Sequence, residues 1–208
     1  LNPDLEQILT LRPDLVILYA SQQKQIDQLT RSNIPVFRYE HGGLADTLSA
    51  IRRLGTRTGH SADAERLVDA ISARLEKLKA RVRNHPRPRV LLIFGREPRS
   101  LRNIYASGGV GFLHDILETA GGRNVFSHVP RESVQLTSEA LLTAAPEVII
   151  ELTYDERMNS TDQAAELEVW NRLQTVPAVQ NRRIHLLLGS RFVIPGPRLA
   201  DTTTAIAQ

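Results

Sequence analysis

The sequence contains no cysteine in its 208 residues. This absence excludes thiolate metal ligands, a cysteine nucleophile and a disulfide framework. No apolar run approaches the roughly 18–20 residues that a membrane-spanning helix requires. Aromatic residues make up only 5% of the chain, and its 26 basic and 23 acidic residues are interspersed rather than clustered. Nucleic-acid binding is therefore not expected, although the sequence pI is near 9.6.

Catalytic signatures are also missing. There is no G-x-x-x-x-G-K-[ST] phosphate loop and no G-x-S-x-G nucleophile elbow. The glycine-rich segment 108–111 precedes a predicted helix, but it does not match the dinucleotide-binding pattern and no predicted strand immediately precedes it. The six histidines are scattered without metal-ligand spacing, although His41 follows a predicted strand and can reach a cleft. The sequence therefore predicts no catalytic residues and no metal site made of protein ligands.

Segments with the pattern of buried strands alternate with segments of helical periodicity in both halves of the chain. The predicted strands are Leu15–Leu18, Pro35–Phe37, Val90–Phe94, Val148–Ile150 and Ile184–Leu188. The predicted helices between them are 22–32, 44–54, 112–120, 138–144 and 165–173. This alternation predicts an α/β fold with parallel sheets that are covered by helices on both faces.

The longest predicted helix runs from Ser61 to about Arg83. Ser61 is the predicted cap, and Asp63 and Glu65 lie in the first turn, where the helix dipole favours negative charge. An apolar stripe runs along one side of the helix. At 1.5 Å per residue the helix would be about 33 Å long, which is close to the diameter of a small domain.

An internal repeat flanks this long helix. Glu6 precedes Pro13 by the same seven positions as Glu139 precedes Pro146, and an apolar strand follows each proline. In addition, the segments 44–51 and 199–206 are identical at six of eight positions. The repeat predicts two similar lobes with parallel central sheets, joined by one long α-helix. The predicted boundaries are 1–60 for the first lobe, 61–84 for the linker helix and 85–208 for the second lobe.

Aromatic and arginine side chains recur where the predicted strands end. In open α/β sheets ligands bind at the carboxyl ends of the strands. Tyrosine and phenylalanine offer flat faces to a macrocycle or a catecholate, and arginine offers a fork to carboxylates. The predicted ligand-binding residues are Tyr19, Tyr39, Arg96, Tyr154, Arg191 and Phe192.

Four segments, in one order around the long helix, carry a resemblance to a known family. They are Asn2 with Leu5-Glu6 and Leu11-Arg12-Pro13-Asp14-Leu15-Val16-Ile17, then Leu117-Glu118-Thr119-Ala120-Gly121-Gly122-Arg123-Asn124-Val125, then Ser138-Glu139 with Pro146-Glu147-Val148-Ile149-Ile150, and Pro195-Gly196-Pro197-Arg198. The whole chain resembles the periplasmic binding proteins of ABC importers that carry vitamin B12, ferric siderophores and haem. In that class a single helix joins the two lobes.

The resemblance implies a binding protein without enzymatic activity or a resident cofactor. Its cargo would be a metal chelate, namely a corrinoid, a ferric siderophore or haem, and its partner a permease dimer. Glu6 and Glu139 match the glutamates of the two lobes that dock onto permease arginines. The resemblance further implies a periplasmic protein, or a lipoprotein on the outer face, whose signal segment and first strand–helix–strand unit are not in this chain.

Two other functions stay open at this point. An enzyme or cofactor-scaffold protein of doubly wound fold would share the alternation of strands and helices, but it would require the catalytic constellation that the sequence does not display. A binding lobe used for sensing rather than transport would share every feature described so far.

Overall fold

The computed structural model describes residues 4–208 and shows an α/β protein with two separate sheets. The first sheet consists of two parallel strands, β1 (Val16–Tyr19) and β2 (Val36–Tyr39), joined by helix α2 (Gln23–Arg31). Helix α1 (Leu5–Thr10) precedes this unit, and helix α3 (Leu44–Arg57) follows it. The first sheet therefore has the parallel strands that the sequence predicts.

One face of the first sheet packs against helices α1 and α2. Leu18, Ile26 and Leu29 are buried in the small core that results. Because side chains alternate along a strand, Ile17 and Tyr19 of β1 point to the opposite face. Both of these side chains are about half exposed, at 53% and 46%. The aromatic side chains of this lobe therefore lie on the face that α1 and α2 leave open.

Helix α4 (Ser61–Val82) is the predicted long helix, and its 22 residues correspond to about 33 Å. Val68, Ile71 and Leu75 form part of its buried stripe. The prediction that Ser61 caps this helix is wrong. His60 occupies the cap position without a side-chain cap bond, because the turn after α3 is short and Ser61 already lies within the first helical turn. No helix among residues 4–208 combines the length and the apolar character needed to cross a membrane.

The second sheet has six strands, β3 (Arg89–Gly95), β4 (Ile104–Ser107), β5 (Arg123–Asn124), β6 (Ser133–Leu136), β7 (Val148–Thr153) and β8 (Ile184–Leu188). Their order across the sheet is β6-β4-β3-β7-β8, with β5 also paired to β3. Strands β3, β5, β7 and β8 run parallel. The predicted parallel sheet therefore forms the centre of this lobe.

Beside this parallel centre, one edge of the second sheet is antiparallel. Strand β4 pairs antiparallel with both β3 and β6. The connection 96–103 is too short for a crossover helix, and Arg99 and Asn103 in it adopt positive φ, so the chain reverses directly. Strand β4 also ends immediately before the glycine-rich segment 108–111, where no strand is predicted.

Helices cover both faces of the second sheet. They are α5 (Phe112–Thr119), α6 (Ser138–Ala144), α7 (Ser160–Glu168), α8 (Pro177–Gln180) and α9 (Leu199–Ile206), with 3₁₀ turns at Val169–Arg172 and Ser190–Phe192. Helix α7 begins earlier than predicted, because the Asn159 side chain accepts a hydrogen bond from the Asp162 N–H and caps it. Along β3, Leu91 and Ile93 enter one core, while Val90 and Leu92 enter the other.

The internal repeat is visible in the backbone, although Asn2, the first residue of the family resemblance, lies outside the described residues. Helix α1 leads into β1 as α6 leads into β7. In both copies the residue before the shared proline has positive φ, 46° at Arg12 and 39° at Ala145. The second repeated segment is helical in both copies, within α3 and α9.

Helices α3, α4, α5 and α9 form a cluster where the first sheet's lobe meets the second. Ile71 of α4, Ile116 of α5 and Leu199 of α9 are buried together, and Leu48 of α3 packs against them. The boundaries 1–60, 61–84 and 85–208 stay a prediction, since α3 and the linker helix share this core with the second lobe.

Candidate functional site

Three aromatic side chains meet at the end of the first sheet. The rings of Tyr19 and His41 stack at a centroid distance of 4.7 Å and an interplanar angle of 14°. The Tyr39 ring meets both edge-on, at 5.6 Å from Tyr19 and 5.8 Å from His41. We call Tyr19, Tyr39 and His41 the aromatic cluster.

The parallel pairing of β1 and β2 brings this cluster together. Tyr19 and Tyr39 are register partners at the carboxyl ends of the two strands, so their side chains leave the same face of the sheet. The backbone is held there by the Ala20 N–H, which donates to the Tyr39 carbonyl at 2.8 Å. His41 is exposed and makes no hydrogen bond among the described residues. The cluster therefore presents two phenol rings and one available imidazole.

The environment of Tyr39 links the cluster to the second lobe. Burial and the neighbouring Tyr19 raise the pKa of the Tyr39 phenol, and the carboxylates of Glu132 and Asp46 act in the same direction, against a hydrogen bond with Thr47. Tyr39 is therefore a neutral phenol at physiological pH. Glu132 belongs to the second lobe, so the charge of that lobe contributes to the raised pKa of Tyr39.

The glycine-rich segment 108–111 lies in the second lobe beside Glu132. Gly108 N–H donates to the Glu132 carbonyl at 3.1 Å, and Gly109 N–H donates to the Val129 carbonyl at 2.8 Å. A Cβ at Gly109 would lie 2.1 Å from the Ser127 carbonyl oxygen. These glycines therefore serve close packing of two loops. We call the space between the aromatic cluster and residues 108–111 with Glu132 the interlobe cleft.

Two predicted ligand-binding residues of the second lobe are exposed. Tyr154 follows β7 directly and is 62% exposed. Arg191 follows β8, and its guanidinium lies over the Phe192 ring at 4.8 Å from the centroid. Both side chains remain candidates for ligand contact at the carboxyl edge of the second sheet.

Arg96 is not available to a ligand, which corrects its prediction as a binding residue. Its side chain is only 2% exposed. The guanidinium lies 2.8 Å from Glu151 and 2.7 Å from Glu166, and it also donates to the carbonyls of Glu97 and Ser100. Arg96 follows β3, so its ion pairs join the end of β3 to β7 and α7.

Glu151 is the second charged residue of this buried network. Desolvation by burial raises the pKa of Glu151, and this effect exceeds the opposing attraction of Arg96. The Trp170 indole N–H also donates to Glu151, at 3.3 Å. Glu166 accepts hydrogen bonds from the Arg99 backbone N–H. The network therefore fixes the loop 96–103 against the sheet.

Phe192 is also wrongly predicted as a ligand-binding residue. It is only 2% exposed and packs in the core with Leu92, Ile150 and Leu152. The 3₁₀ turn after β8 directs this ring back onto the sheet and leaves the adjacent Arg191 exposed. Sequence position after a strand therefore does not distinguish a cleft residue from a core residue here.

No sequence pattern points to Glu132 or Asp115, and the position of His41 after a strand indicates only that it can reach a cleft. The Leu44 N–H at the start of α3 donates to Asp115 Oδ2 of α5 at 2.7 Å. Position after a strand was the signal for His41. Glu132 and Asp115 have no such signal, because each lies more than 70 residues from the aromatic cluster in the sequence and approaches that segment only in the folded chain.

The predicted permease-docking residues, Glu6 and Glu139, are both exposed and lie in first helical turns. Glu6 is in α1, whose N-cap is Asp4, and Glu139 is in α6, whose N-cap is Thr137. The two glutamates therefore share the same local structure as well as the same position in the repeat.

A surface cavity of about 590 Å³ lies away from the aromatic cluster, between the end of α4, strands β7 and β8, and α9. It contains none of the predicted ligand-binding residues. Among residues 4–208 no group of three or more His, Cys, Asp or Glu side chains is arranged to hold a metal ion.

The two lobes, the long helix and the aromatic cluster at an interlobe cleft define a two-lobed solute-binding protein. Residues 1–188 match the model of the family described as periplasmic binding protein, and the chain belongs to that family. This confirms the family that the sequence resembles. That family consists of solute-binding proteins of transport systems.

Relatives of this chain include vitamin B12-binding proteins. The protein of Pectobacterium carotovorum subsp. carotovorum (strain PC1) is 25% identical over 210 residues, which is 98% of this chain and 72% of the relative. The protein of Salmonella typhi is 28% identical over 149 residues, which is 71% of this chain. That match spans 54% of the Salmonella typhi protein, or about half its length.

Solved structures confirm the two-lobed fold. The periplasmic vitamin B12 binding protein BtuF of Vibrio cholerae superposes with a TM-score of 0.77 and 20% identity, covering 98% of this chain and 76% of that structure. S. aureus IsdE complexed with heme superposes with a TM-score of 0.78 and 20% identity, covering 99% and 80%. At such identities the similarity establishes the fold alone.

Proposed function

We propose that this protein is the substrate-binding component of an ABC importer and that it captures a metal chelate in the interlobe cleft. The observation that carries the proposal is the aromatic cluster. Tyr19, Tyr39 and His41 lie at the carboxyl ends of two parallel strands, where α/β proteins bind ligands, and Glu132 of the second lobe contributes to the raised pKa of Tyr39.

The chemistry of the cluster favours a flat organic chelate. Stacked aromatic rings offer apolar faces to a macrocycle, and an imidazole such as that of His41 can bind a metal directly. The names of the relatives support the same class, since vitamin B12 and haem are both metal chelates. We therefore propose a corrinoid or haem as the leading cargo, with a ferric siderophore as the third candidate.

The proposed ligand-binding set is Tyr19, Tyr39 and His41 of the first lobe with Tyr154 and Arg191 of the second. Arg191 supplies a guanidinium for carboxylates on the chelate, such as propionates. Arg96 and Phe192 are buried and stabilise this edge of the sheet. The chelate is cargo in this proposal, and the protein has no resident cofactor.

The proposal includes delivery to a permease dimer through Glu6 and Glu139. Their support is their equivalent place in the two lobes, as contact with a two-fold partner requires. The proposed location is the periplasm or the outer face of a membrane, in agreement with the family's description.

Chelate binding is tested by native mass spectrometry and absorbance titration with haemin, cyanocobalamin and a ferric catecholate siderophore. We expect one of these to bind the wild-type protein, and Tyr19→Ala to weaken its binding by about thirtyfold, as for an interface anchor worth about 2 kcal/mol. Tyr105→Ala is the matched control, because Tyr105 is exposed on β4 and outside the cluster. Equal affinity of Tyr19→Ala and wild type would place the site elsewhere.

A further inference from the structure

Helix α3 has no side chain of its own at its N-cap, because that position is Gly43. The first helical N–H, that of Leu44, donates to Asp115 Oδ2 at 2.7 Å, and Asp115 lies 71 residues further along the chain. A carboxylate is favoured at this place because it accepts an otherwise unpaired N–H and meets the positive end of the helix dipole. Asp115 of the second lobe therefore caps a helix that follows directly from the first sheet.

Gly43 is shaped for this contact. A Cβ at Gly43 would lie 2.3 Å from Asp115 Oδ2, so a larger residue would displace the carboxylate. The backbone of Gly43 has φ −79° and ψ −169°, which any residue adopts without strain. The glycine is therefore needed for the close approach of Asp115 and not for its conformational freedom.

Both partners of the contact are anchored. Asp115 precedes Ile116, which is fully buried against Ile71 and Leu199. On the other side, the segment from Tyr39 to Leu44 carries two members of the aromatic cluster. A movement of the start of α3 relative to α5 would therefore move Tyr39 and His41 relative to the second lobe.

We propose that Asp115 is a positioning residue for ligand capture: its carboxylate ties the start of α3 to α5 and sets the distance between the aromatic cluster and the second lobe. The consequence for affinity rests on the proposed function, whereas the tie itself can be measured without any ligand.

The tie is tested by the distance between the lobes in the ligand-free, full-length protein. The chain has no cysteine, so Lys24→Cys on α2 and Glu168→Cys at the end of α7, both exposed, accept one nitroxide label each. We expect Asp115→Ala to broaden the distance distribution measured by pulsed electron paramagnetic resonance. Asp201→Ala is the control, because it removes an exposed ion pair with Arg74 between α4 and α9 and leaves the start of α3 intact. Distributions identical to wild type in both variants would overturn the proposal.

A second variant separates positioning from helix stability. Serine is a favoured N-cap, and Gly43→Ser combined with Asp115→Ala supplies a local cap in the space that the carboxylate vacates. We expect this double variant to recover the melting temperature lost in Asp115→Ala while its distance distribution stays broad. If the local cap restores the wild-type distribution as well, Asp115 is only a helix cap and the positioning role is wrong.

Haemin and cyanocobalamin are then titrated into the same variants. We expect about a fivefold to tenfold loss of affinity in Asp115→Ala and in the double variant, the size associated with the net contribution of one typical hydrogen bond. Unchanged affinity in a variant with a broadened distribution would show that the tie does not serve capture. Failure of wild-type protein to bind any chelate would contradict the proposed function and leave the distance measurement to decide the tie.

Discussion

At the residue scale, Arg96 places one positive charge between two buried carboxylates. Removal of one partner from a buried ion pair is costly, because the remaining charge has neither water nor a counter-ion. Arg96 bridges Glu151 of β7 and Glu166 of α7. The residue is therefore expected to matter for stability and not for direct ligand contact.

We predict that Arg96→Met destabilises the protein by about 3–5 kcal/mol, as expected when a buried ion pair loses one member. Urea unfolding followed by circular dichroism measures this loss. Arg102→Met changes an exposed arginine in the same loop and is expected to cost less than about 0.5 kcal/mol. Equal midpoints for the two variants would show that Arg96 is not a structural charge.

The raised pKa of Glu151 predicts a specific pH dependence. A carboxyl whose pKa is higher in the folded state than its ordinary 4.5 stabilises the fold fully below pH 4.5. That contribution is lost as the pH rises through the raised pKa. We expect the free energy of unfolding of wild type, relative to Glu151→Gln, to fall as the pH increases from 4.5 to 7. Parallel pH profiles in urea titrations of the two proteins would contradict this assignment.

At the scale of elements, the α3–α4 hairpin depends on a helical glycine. Gly55 is buried in α3, and a Cβ there would lie 2.3 Å from the Ala64 Cβ of α4. The close approach of the two helices requires a position without a side chain. Glycine within a helix is about 1 kcal/mol less favourable than alanine, but the close packing of α3 against α4 requires it at this position.

We predict that Gly55→Ala lowers the free energy of unfolding by about 1 kcal/mol or more, because overpacking costs about 1–3 kcal/mol and the better helix propensity of alanine recovers only part of it. Thermal unfolding measures the change. At Gly95 a new Cβ meets no atom within 4 Å, so Gly95→Ala is the control and is expected to cause no loss. A more stable Gly55→Ala protein would mean that the helices separate without penalty.

At the scale of the whole molecule, two lobes share a helical cluster around one long helix. Bending α4 would break backbone hydrogen bonds, so large closure is disfavoured and a small hinge is expected. Glu6 and Glu139 lie at equivalent places of the two lobes, and both are exposed. In the proposed function they contact the permease and not the ligand.

We predict that the double variant Glu6→Lys with Glu139→Lys sharply reduces uptake of the chelate in cells, because like charges in an interface cost several kcal/mol. Uptake is measured with the chelate that binds in vitro. Affinity and melting temperature are expected to stay near wild type, since exposed substitutions change stability by less than about 0.5 kcal/mol. Glu168→Lys with Glu76→Lys is the control, because it reverses two exposed glutamates outside the repeat. Normal uptake by the first variant would remove the docking role.

Local patterns along the chain determined the fold class, the long helix and the repeat. Helical periodicity predicted α4 to within about one residue at each end, and the prolines of the repeat marked where β1 and β7 follow their helices. Such features depend on neighbours within one or two turns of chain, and the sequence displays these directly. The family assignment followed from the same ordered segments.

Contacts between distant residues decided which candidate site residues are buried and which are exposed. Arg96, Phe192 and Tyr154 all follow strands, yet the structure buries the first two and exposes the third. The antiparallel strand β4 and the approach of Asp115 to Leu44 likewise depend on partners that sequence spacing does not display. Burial is a property of the assembled layers, so only the tertiary structure separates a strand-end residue that supports the sheet from one that lines the cleft.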